Sequence, residues 1–257
     1  MRVGPTGGVM TLDGTGALVT GGSGAIGRAV VAELAAAGAA VTVAYHTDAE
    51  AAAAAAETAR ERAGRARTAG ADLTDPEEAR RLVEGAAEFA PLGVLVNCAG
   101  YTAPAAVEDL DPETVRRTLA VNVEGAINAA RAAAPTLRDR GGVVVNVSSV
   151  AAEIGSVDVS YATAKAGLLG FTRALARELG EDGARANAVV PGPVDTPMND
   201  DIVEFLEAER FRGHRTVDTL IDRYEAQPEE VASAVRFLAA HEFVTGEVLH
   251  VDGGMRL

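Results

Sequence analysis

The amino-acid sequence predicts an α/β fold: one Rossmann-like, doubly wound parallel sheet of about seven strands, with helices on both faces. Three observations lead there. Apolar, buried-type strand runs alternate with helical patterns along the whole chain. A Gly-rich turn, Gly21-Gly22-Ser23-Gly24-Ala25-Ile26-Gly27, joins the first strand to the first helix. Residues able to do chemistry recur just after strand ends, where ligands of such sheets sit.

Residues 1–10 are Gly-rich without periodicity and read as a flexible extension, with Met10 an alternative start; residues 11–257 form the domain. Ala17-Leu18-Val19-Thr20 is the first strand. The helix after it carries Val30, Val31 and Leu34, and Gly38 closes it. Residues 41–45 complete a βαβ unit. The Ala-rich segment 49–66 has high helix propensity and reads as a solvent-facing helix capped by Asp48. A short strand leads to Asp72-Leu73, and Pro76 opens the next helix. Residues 92–96 make the fourth strand, ending in Asn97-Cys98-Ala99-Gly100. One long helix is expected from about 112 to 137, with Pro135 bending or ending it. Residues 143–147 are the fifth strand and deliver Ser148-Ser149. A helix bearing Tyr161 runs to about Leu179, and residues 186–190 are a sixth strand ending at Pro191-Gly192-Pro193. The pattern breaks down between Asn199 and Gln227. Pro228 then starts a clean helix, and residues 247–251 give the last strand.

Composition narrows the function classes. With 48% hydrophobic and 23% charged residues the chain has ample material for a core. A formal net charge of −14 argues against nucleic acid or an anionic membrane as partner. The single Cys98 excludes an intramolecular disulfide, and the four histidines show no metal-ligand spacing. No run of about 18 apolar residues occurs, so a soluble cytoplasmic protein is expected.

Residues four apart on a helix share a face, which sets the Tyr161 hydroxyl beside the Lys165 ammonium. A cation ~4 Å away at an effective dielectric near 20 is worth up to roughly 4 kcal/mol to the phenolate. That would lower the tyrosine pKa from about 10 toward neutrality. The bland alternative is an amphipathic helix that carries both residues by chance. Gly22-x-Gly24-x-x-Gly27 has the spacing of a dinucleotide fingerprint in the right strand-to-helix context; the alternative is a glycine turn without ligand. Cofactor type depends on the end of strand two, which reads Ala44-Tyr45-His46-Thr47. No acid stands there to hold a ribose 2′-hydroxyl, and His46, Thr47 and Arg28 are near, so NADP(H) is favoured and NAD(H) is the alternative. His46 reads equally as a solvated loop residue.

Taken in order, the marks are Thr20-Gly21 with Gly27, Asn97-x-Ala99-Gly100, Asn122, and a serine before Tyr161-x-x-x-Lys165. Pro191-Gly192 with Thr196 and the terminal Val251-Asp252-Gly253-Gly254 complete the set. From about Leu12 to Gly254 the chain resembles the short-chain dehydrogenase/reductase family in its compact single-domain branch. The resemblance implies Tyr161 as general acid/base, Lys165 as the group that lowers its pKa and binds the nicotinamide ribose, and a serine that orients the substrate carbonyl. It implies Asn122 as holder of a relay water. It places the cofactor along Thr20, Gly21, Ser23, Gly24, Ile26, Gly27, Tyr45, His46, Thr47, Asp72, Leu73, Asn97, Ala99, Gly100, Pro191, Gly192, Val194 and Thr196, with no metal. Ala25 and Cys98 depart from the usual Gly and Asn; Ala25 is expected to be tolerated, and Cys98 reads as a small packed residue. Ser148 and Ser149 compete for the orienting role. Strand alternation sends them to opposite sides; the family's Ser-Val wording favours Ser149 with one residue deleted in the following loop, the commoner spacing to Tyr161 favours Ser148, and Ser149 is the choice.

The resemblance also implies a substrate lid at about 197–227, where Phe205, Phe211, His214 and Tyr224 either wall the pocket or pack the lid down. Tyr101 is a further candidate to face the substrate. The expected activity is an NADP(H)-dependent ketoreductase moving hydride between nicotinamide and a ketone/secondary alcohol, with a 3-oxoacyl or polyketide-like substrate that is free or acyl-carrier-bound. The family usually forms homodimers or homotetramers through the Asn122 and Tyr161 helices. An NAD-dependent alcohol or sugar dehydrogenase, and a catalytically silent dinucleotide-binding sensor or scaffold, are the alternatives.

Overall fold

In a computed structural model of the chain, residues 11–62, 64–156, 158–209 and 218–257 are described. The expected extension at residues 1–10, and the candidates Phe211 and His214, lie outside them. The element order is β1 (Gly16–Thr20), α1 (Ala25–Ala36), β2 (Ala40–Tyr45), α2 (Ala49–Glu61), β3 (Arg65–Gly70), α3 (Pro76–Phe89) and β4 (Leu92–Asn97). It continues with α4 (Pro112–Leu119), a π-helical turn (Ala120–Glu124), α5 (Gly125–Arg140), β5 (Val143–Val147), α6 (Ala151–Ile154) and α7 (Val159–Gly180). β6 (Arg185–Pro191), α8 (Pro197–Glu209), α9 (Pro228–Ala240) and β7 (Val248–Val251) complete it.

The seven strands form one sheet in the order β3-β2-β1-β4-β5-β6-β7, and every pairing is parallel. β1, β4 and β5 read as nearly unbroken apolar runs because both faces of the sheet are covered. On one face Val30, Val31 and Leu34 of α1 pack with the alanines of α2 and with Val231, Val235 and Leu238 of α9. On the other, Leu82 of α3, Ala129 and Leu137 of α5 and Leu175 of α7 pack around Leu18, Leu95 and Val144. Strand order reverses between β1 and β4, which opens a crevice at their carboxyl ends. None of the described helices is long and apolar enough to cross a membrane.

Several expected elements are corrected. The Ala-rich helix ends at Glu61, because Arg65 already pairs with Ala40 in β3. It is not simply solvent-facing: Ala52, Ala55, Ala56 and Ala59 are buried, since a stripe of methyl groups lets the helix sit close to the sheet. The expected single helix from 112 to 137 is interrupted by the π-helical turn. It then continues through Pro135 to Arg140 and closes on Gly141 in the left-handed conformation. The stretch expected to be irregular from Asn199 begins with the regular helix α8.

Candidate active site

Gly21 takes a φ of 63°, and a Cβ on Gly27 would stand 2.1 Å from the Gly21 carbonyl oxygen, so the turn into α1 closes only with glycine at position 27. Ala25, in the first turn of α1, lines the cleft that this turn borders. Helices α2, α3, α4 and α7 each begin with an aspartate, Asp48, Asp75, Asp111 and Asp158, that accepts backbone N–H groups of the first turn. α1 has no side-chain cap and no acid in its first turn. Its uncapped, electropositive end borders a cleft of about 550 Å³, which suits a pyrophosphate.

The cleft gathers most of the sequence-predicted cofactor residues. Gly21, Ser23, Gly24, Ile26 and Gly27 line it from the first turn, and Tyr45, His46 and Thr47 from the end of β2. Asp72, Leu73, Ala99, Gly100 and Thr196 join them, with Tyr161 and Lys165 at the deep end. Thr20 and Asn97 are buried beneath it instead. The Thr20 hydroxyl accepts the backbone N–H groups of Cys98 and Ala99 at 3.1 and 3.3 Å and so shapes the turn after β4. Asn97 Nδ2 donates to Asn146 Oδ1, and Asn146 Nδ2 donates to Thr172 Oγ1, both at 2.9 Å. This ladder ties β4 through β5 to α7.

At the far end of the cleft, an acid does stand beside His46. The Asp72 carboxylate, delivered after β3, lies 3.9 Å from His46 Nε2. Hydrogen bonds from Thr74, aided by nearby His46, hold its carboxyl below the usual range. The exposed Arg28 donates to the Ser23 carbonyl at 2.8 Å on the same rim.

A second cavity of about 390 Å³ lies beyond, walled by Val150 and Ile154, by Pro191, Gly192 and Val194 after β6, by Met198 and Ile202 of α8, and by Tyr224 and Met255. Phe205 of α8 is half-buried but is not among its lining residues. The two cavities share Ile26, Ser148, Tyr161, Thr196 and Met198, so they meet at Tyr161.

There the two serines part. Ser149 lines the second cavity, accepts the Ala151 backbone N–H at 3.2 Å, and lies close enough to the Tyr161 phenol to oppose the rise of its pKa. Ser148 is buried, and its hydroxyl donates to the Lys165 carbonyl at 2.8 Å. Lys165 Nζ donates to the Val147 carbonyl at 3.0 Å and stands 5.4 Å from the centroid of the Tyr161 ring. Asn122 sits in the π-helical turn and donates to the carbonyls of Tyr101 at 2.7 Å and Thr118 at 2.8 Å. A Cβ on Gly100 would lie 3.2 Å from Asn122 Oδ1 and 3.5 Å from Lys165 Nζ, so the absence of a side chain there leaves a gap between the two.

The electrostatics correct one expectation. Burial pushes the Tyr161 phenol up to about 12; the Ser149 hydrogen bond opposes this, and the charge of Asp158 adds to it. Burial also lowers Lys165 to about 8. The cost of ionising a buried phenol, which helical spacing does not reveal, sets the direction of the shift. Cys98 packs beside the core, and burial pushes its thiol up to about 11.

Three residues of this region were not singled out in the sequence. Asn146 carries the ladder, and only its polarity within a valine run marks it. Arg117 lies over the Tyr101 ring at 4.4 Å, and both line the dinucleotide-sized cleft. Asp158 caps α7, the helix that carries Tyr161 and Lys165.

A parallel sheet carries an uncapped helix end at its switch point, Tyr161 and Lys165 line the cleft there, and Ser149 lines the adjoining cavity; this is the layout of a dinucleotide-binding oxidoreductase. Residues 21–256 match the family described as Enoyl-(Acyl carrier protein) reductase. Short-chain reductase protein NovJ of Streptomyces niveus is 39% identical over 246 residues, covering 93% of this chain and 92% of that protein. A 3-oxoacyl-[acyl-carrier-protein] reductase of a Synechocystis species is 33% identical over 250 residues, covering 93% of this chain and 96% of that protein. A short-chain dehydrogenase of Burkholderia cenocepacia, solved in complex with NADP, superposes with a TM-score of 0.86 at 37% identity, covering 96% of this chain and all of that one. The chain belongs to the short-chain dehydrogenase/reductase family and is an oxidoreductase acting on CH–OH/C=O with a nicotinamide cofactor.

Proposed function

We propose that the chain is an NADPH-dependent ketoreductase whose preferred substrates are 3-oxoacyl thioesters, free or carrier-bound. One observation carries this reading: Ser149 and Tyr161 converge at the junction of the dinucleotide cleft and a mainly apolar second cavity. Two hydroxyls there address one carbonyl oxygen, while Val150, Ile154, Met198 and Ile202 offer apolar surface to an acyl chain.

The uncapped end of α1 with Ser23 and Gly24 would hold the pyrophosphate, and Tyr45, His46, Thr47 and Arg28 the adenosine end, where the Arg28 guanidinium favours a 2′-phosphate. When bound, the nicotinamide supplies or takes up hydride at the substrate carbon. In reduction Ser149 orients the carbonyl, Tyr161 donates the proton, and charged Lys165 stabilises the phenolate left behind. Asn122 faces the gap beside Gly100, where a relay water would reach Lys165. α8 acts as the substrate lid. The protein works in the cytoplasm as a homodimer or homotetramer built on the α5 and α7 faces.

NADPH and NADH oxidation measured against 3-oxoacyl thioesters, simple ketones, sugars and a 2-enoyl thioester tests the reading. Preferred turnover of the 3-oxoacyl thioester with NADPH is expected. Oxidation of sugars or alcohols with NAD would replace this function with the dehydrogenase one. Tight NADPH binding without turnover of any substrate would leave a silent dinucleotide binder. Reduction of the enoyl compound alone would move the chemistry to a C=C bond.

A further inference from the structure

Asp158 is almost fully buried, with 1% of its surface exposed, and its two carboxylate oxygens face different parts of the chain. Oδ1 accepts the backbone N–H of Tyr161 at 2.9 Å and the Ser160 hydroxyl at 2.6 Å, both in the first turn of α7. Oδ2 accepts the Thr102 hydroxyl at 2.8 Å and the Ala103 backbone N–H at 2.9 Å, both in the loop that follows Gly100. A helix cap needs only the first pair. The second pair reaches 55 residues back in sequence. The same loop is held from its other side by Asn122, whose amide donates to the Tyr101 carbonyl and whose oxygen accepts the Tyr101 N–H at 3.4 Å. Tyr101, between these two anchors, lines the cleft that also holds Tyr161 and Lys165.

We propose that Asp158 is a positioning residue that latches the Tyr101–Ala103 loop to the first turn of α7, so that the wall of the cleft and the Tyr161 side chain keep a fixed separation. The proposal rests on the carbonyl-reduction reading for its kinetic consequence, but the latch itself is a structural property. Burying a carboxylate is costly, and four donors offset that cost. A hydroxyl or amide at this position would cap the helix equally well and would not accept on both sides.

That difference supplies the experiment. In Asp158→Asn the amide oxygen can keep capping α7, while its NH₂ group faces the Ala103 N–H donor to donor and breaks that bond, leaving only the Thr102 hydroxyl able to turn and accept. Wild type, Asp158→Asn, Thr102→Val and Asp158→Ala are compared by hydrogen exchange of the 101–106 segment, thermal unfolding, NADPH affinity and steady-state kinetics with the best ketone of the screen. In Asp158→Asn exchange at Ala103 should speed up at least tenfold and the ketone KM should rise about tenfold. Its kcat should stay within threefold and its NADPH affinity within twofold. Thr102→Val should move KM the same way by a smaller factor. Asp158→Ala should lose kcat as well, because the helix cap goes with the latch. Unchanged Ala103 exchange in folded Asp158→Asn would overturn the latch, whatever the substrate proves to be. Accelerated exchange with an unchanged KM would overturn its role in the site. Losses of activity that merely track the folded fraction, with KM constant, would make Asp158 an ordinary cap and also overturn the proposal.

Discussion

Replacing Lys165 with methionine removes one buried charge while keeping most of the side-chain volume. In wild type the ammonium lies 5.4 Å from the Tyr161 ring centroid. Coulomb's law at an effective dielectric near 20 makes the attraction of an ammonium for a negative charge about 5 Å away on the order of 3 kcal/mol. By transition-state arithmetic that is roughly a 10²-fold factor in the rate of proton donation from Tyr161. The sign of the pH dependence follows from the two shifts. Lys165, lowered to about 8, carries its charge below that pH and loses it above. Tyr161, raised to about 12, stays protonated throughout the working range and adds no inflection of its own. Wild-type kcat for ketone reduction should therefore be level below pH 8 and fall as pH rises through it. The Lys165→Met variant should be roughly 10²-fold slower and lack that inflection. The assay is NADPH oxidation at saturating cofactor, so that weakened ribose binding does not enter the comparison. A variant within threefold of wild type, or one that keeps the inflection near 8, would refute the coupling.

Three further outcomes follow from the same geometry. Ser149→Ala should lose at least about 10²-fold in kcat, the usual scale for one oxyanion-type donor. Ser148→Ala, whose hydroxyl already serves the Lys165 carbonyl, should stay within about tenfold of wild type; the reverse order in steady-state assays would exchange the roles. Tyr45→Asp puts a carboxylate at the end of β2 and should shift the NADPH/NADH ratio of kcat/KM toward NADH by at least about tenfold; an unmoved ratio would place recognition of the 2′-phosphate elsewhere. The Cys98 thiol, pushed up to about 11 by burial, should alkylate slowly at pH 7 and faster only as pH approaches that value; rapid modification at neutral pH, followed by mass spectrometry, would show that the thiol is not held as described.

The sheet was legible because parallel strands buried on both faces leave apolar runs, and β1, β4 and β5 are such runs. The cleft was legible because glycine spacing and strand ends share one edge. What escaped the sequence depends on distances that spacing does not fix. Helical periodicity placed Tyr161 and Lys165 on one face but said nothing of their burial, which decides both pKa values. The π-helical turn around Asn122 breaks the 3.6-residue repeat without any proline or glycine at its start. The Ala-rich α2 looked solvated because alanine carries little hydrophobic signal, although four of its alanines are buried. Asp158 reads as one acid before a helix, and its second pair of donors comes from a loop distant in sequence.

The two pKa shifts share one cause, and together they describe the resting state of the site. Burial penalises the charged form of both groups, so the resting pair moves toward a protonated tyrosine and a weakly basic lysine. A protonated Tyr161 is the acid that ketone reduction requires. Alcohol oxidation requires the phenolate, which this environment disfavours. At neutral pH, below the Lys165 value of about 8, the lysine still carries its charge and can meet the phenolate as it forms. The Ser149 hydrogen bond works in the same sense, since it lowers the tyrosine pKa without supplying a charge. The site thus holds its proton until a carbonyl oxygen takes it, and the ionised state is stabilised only after transfer. A protonated tyrosine beside a charged lysine is the state from which the proposed reduction starts.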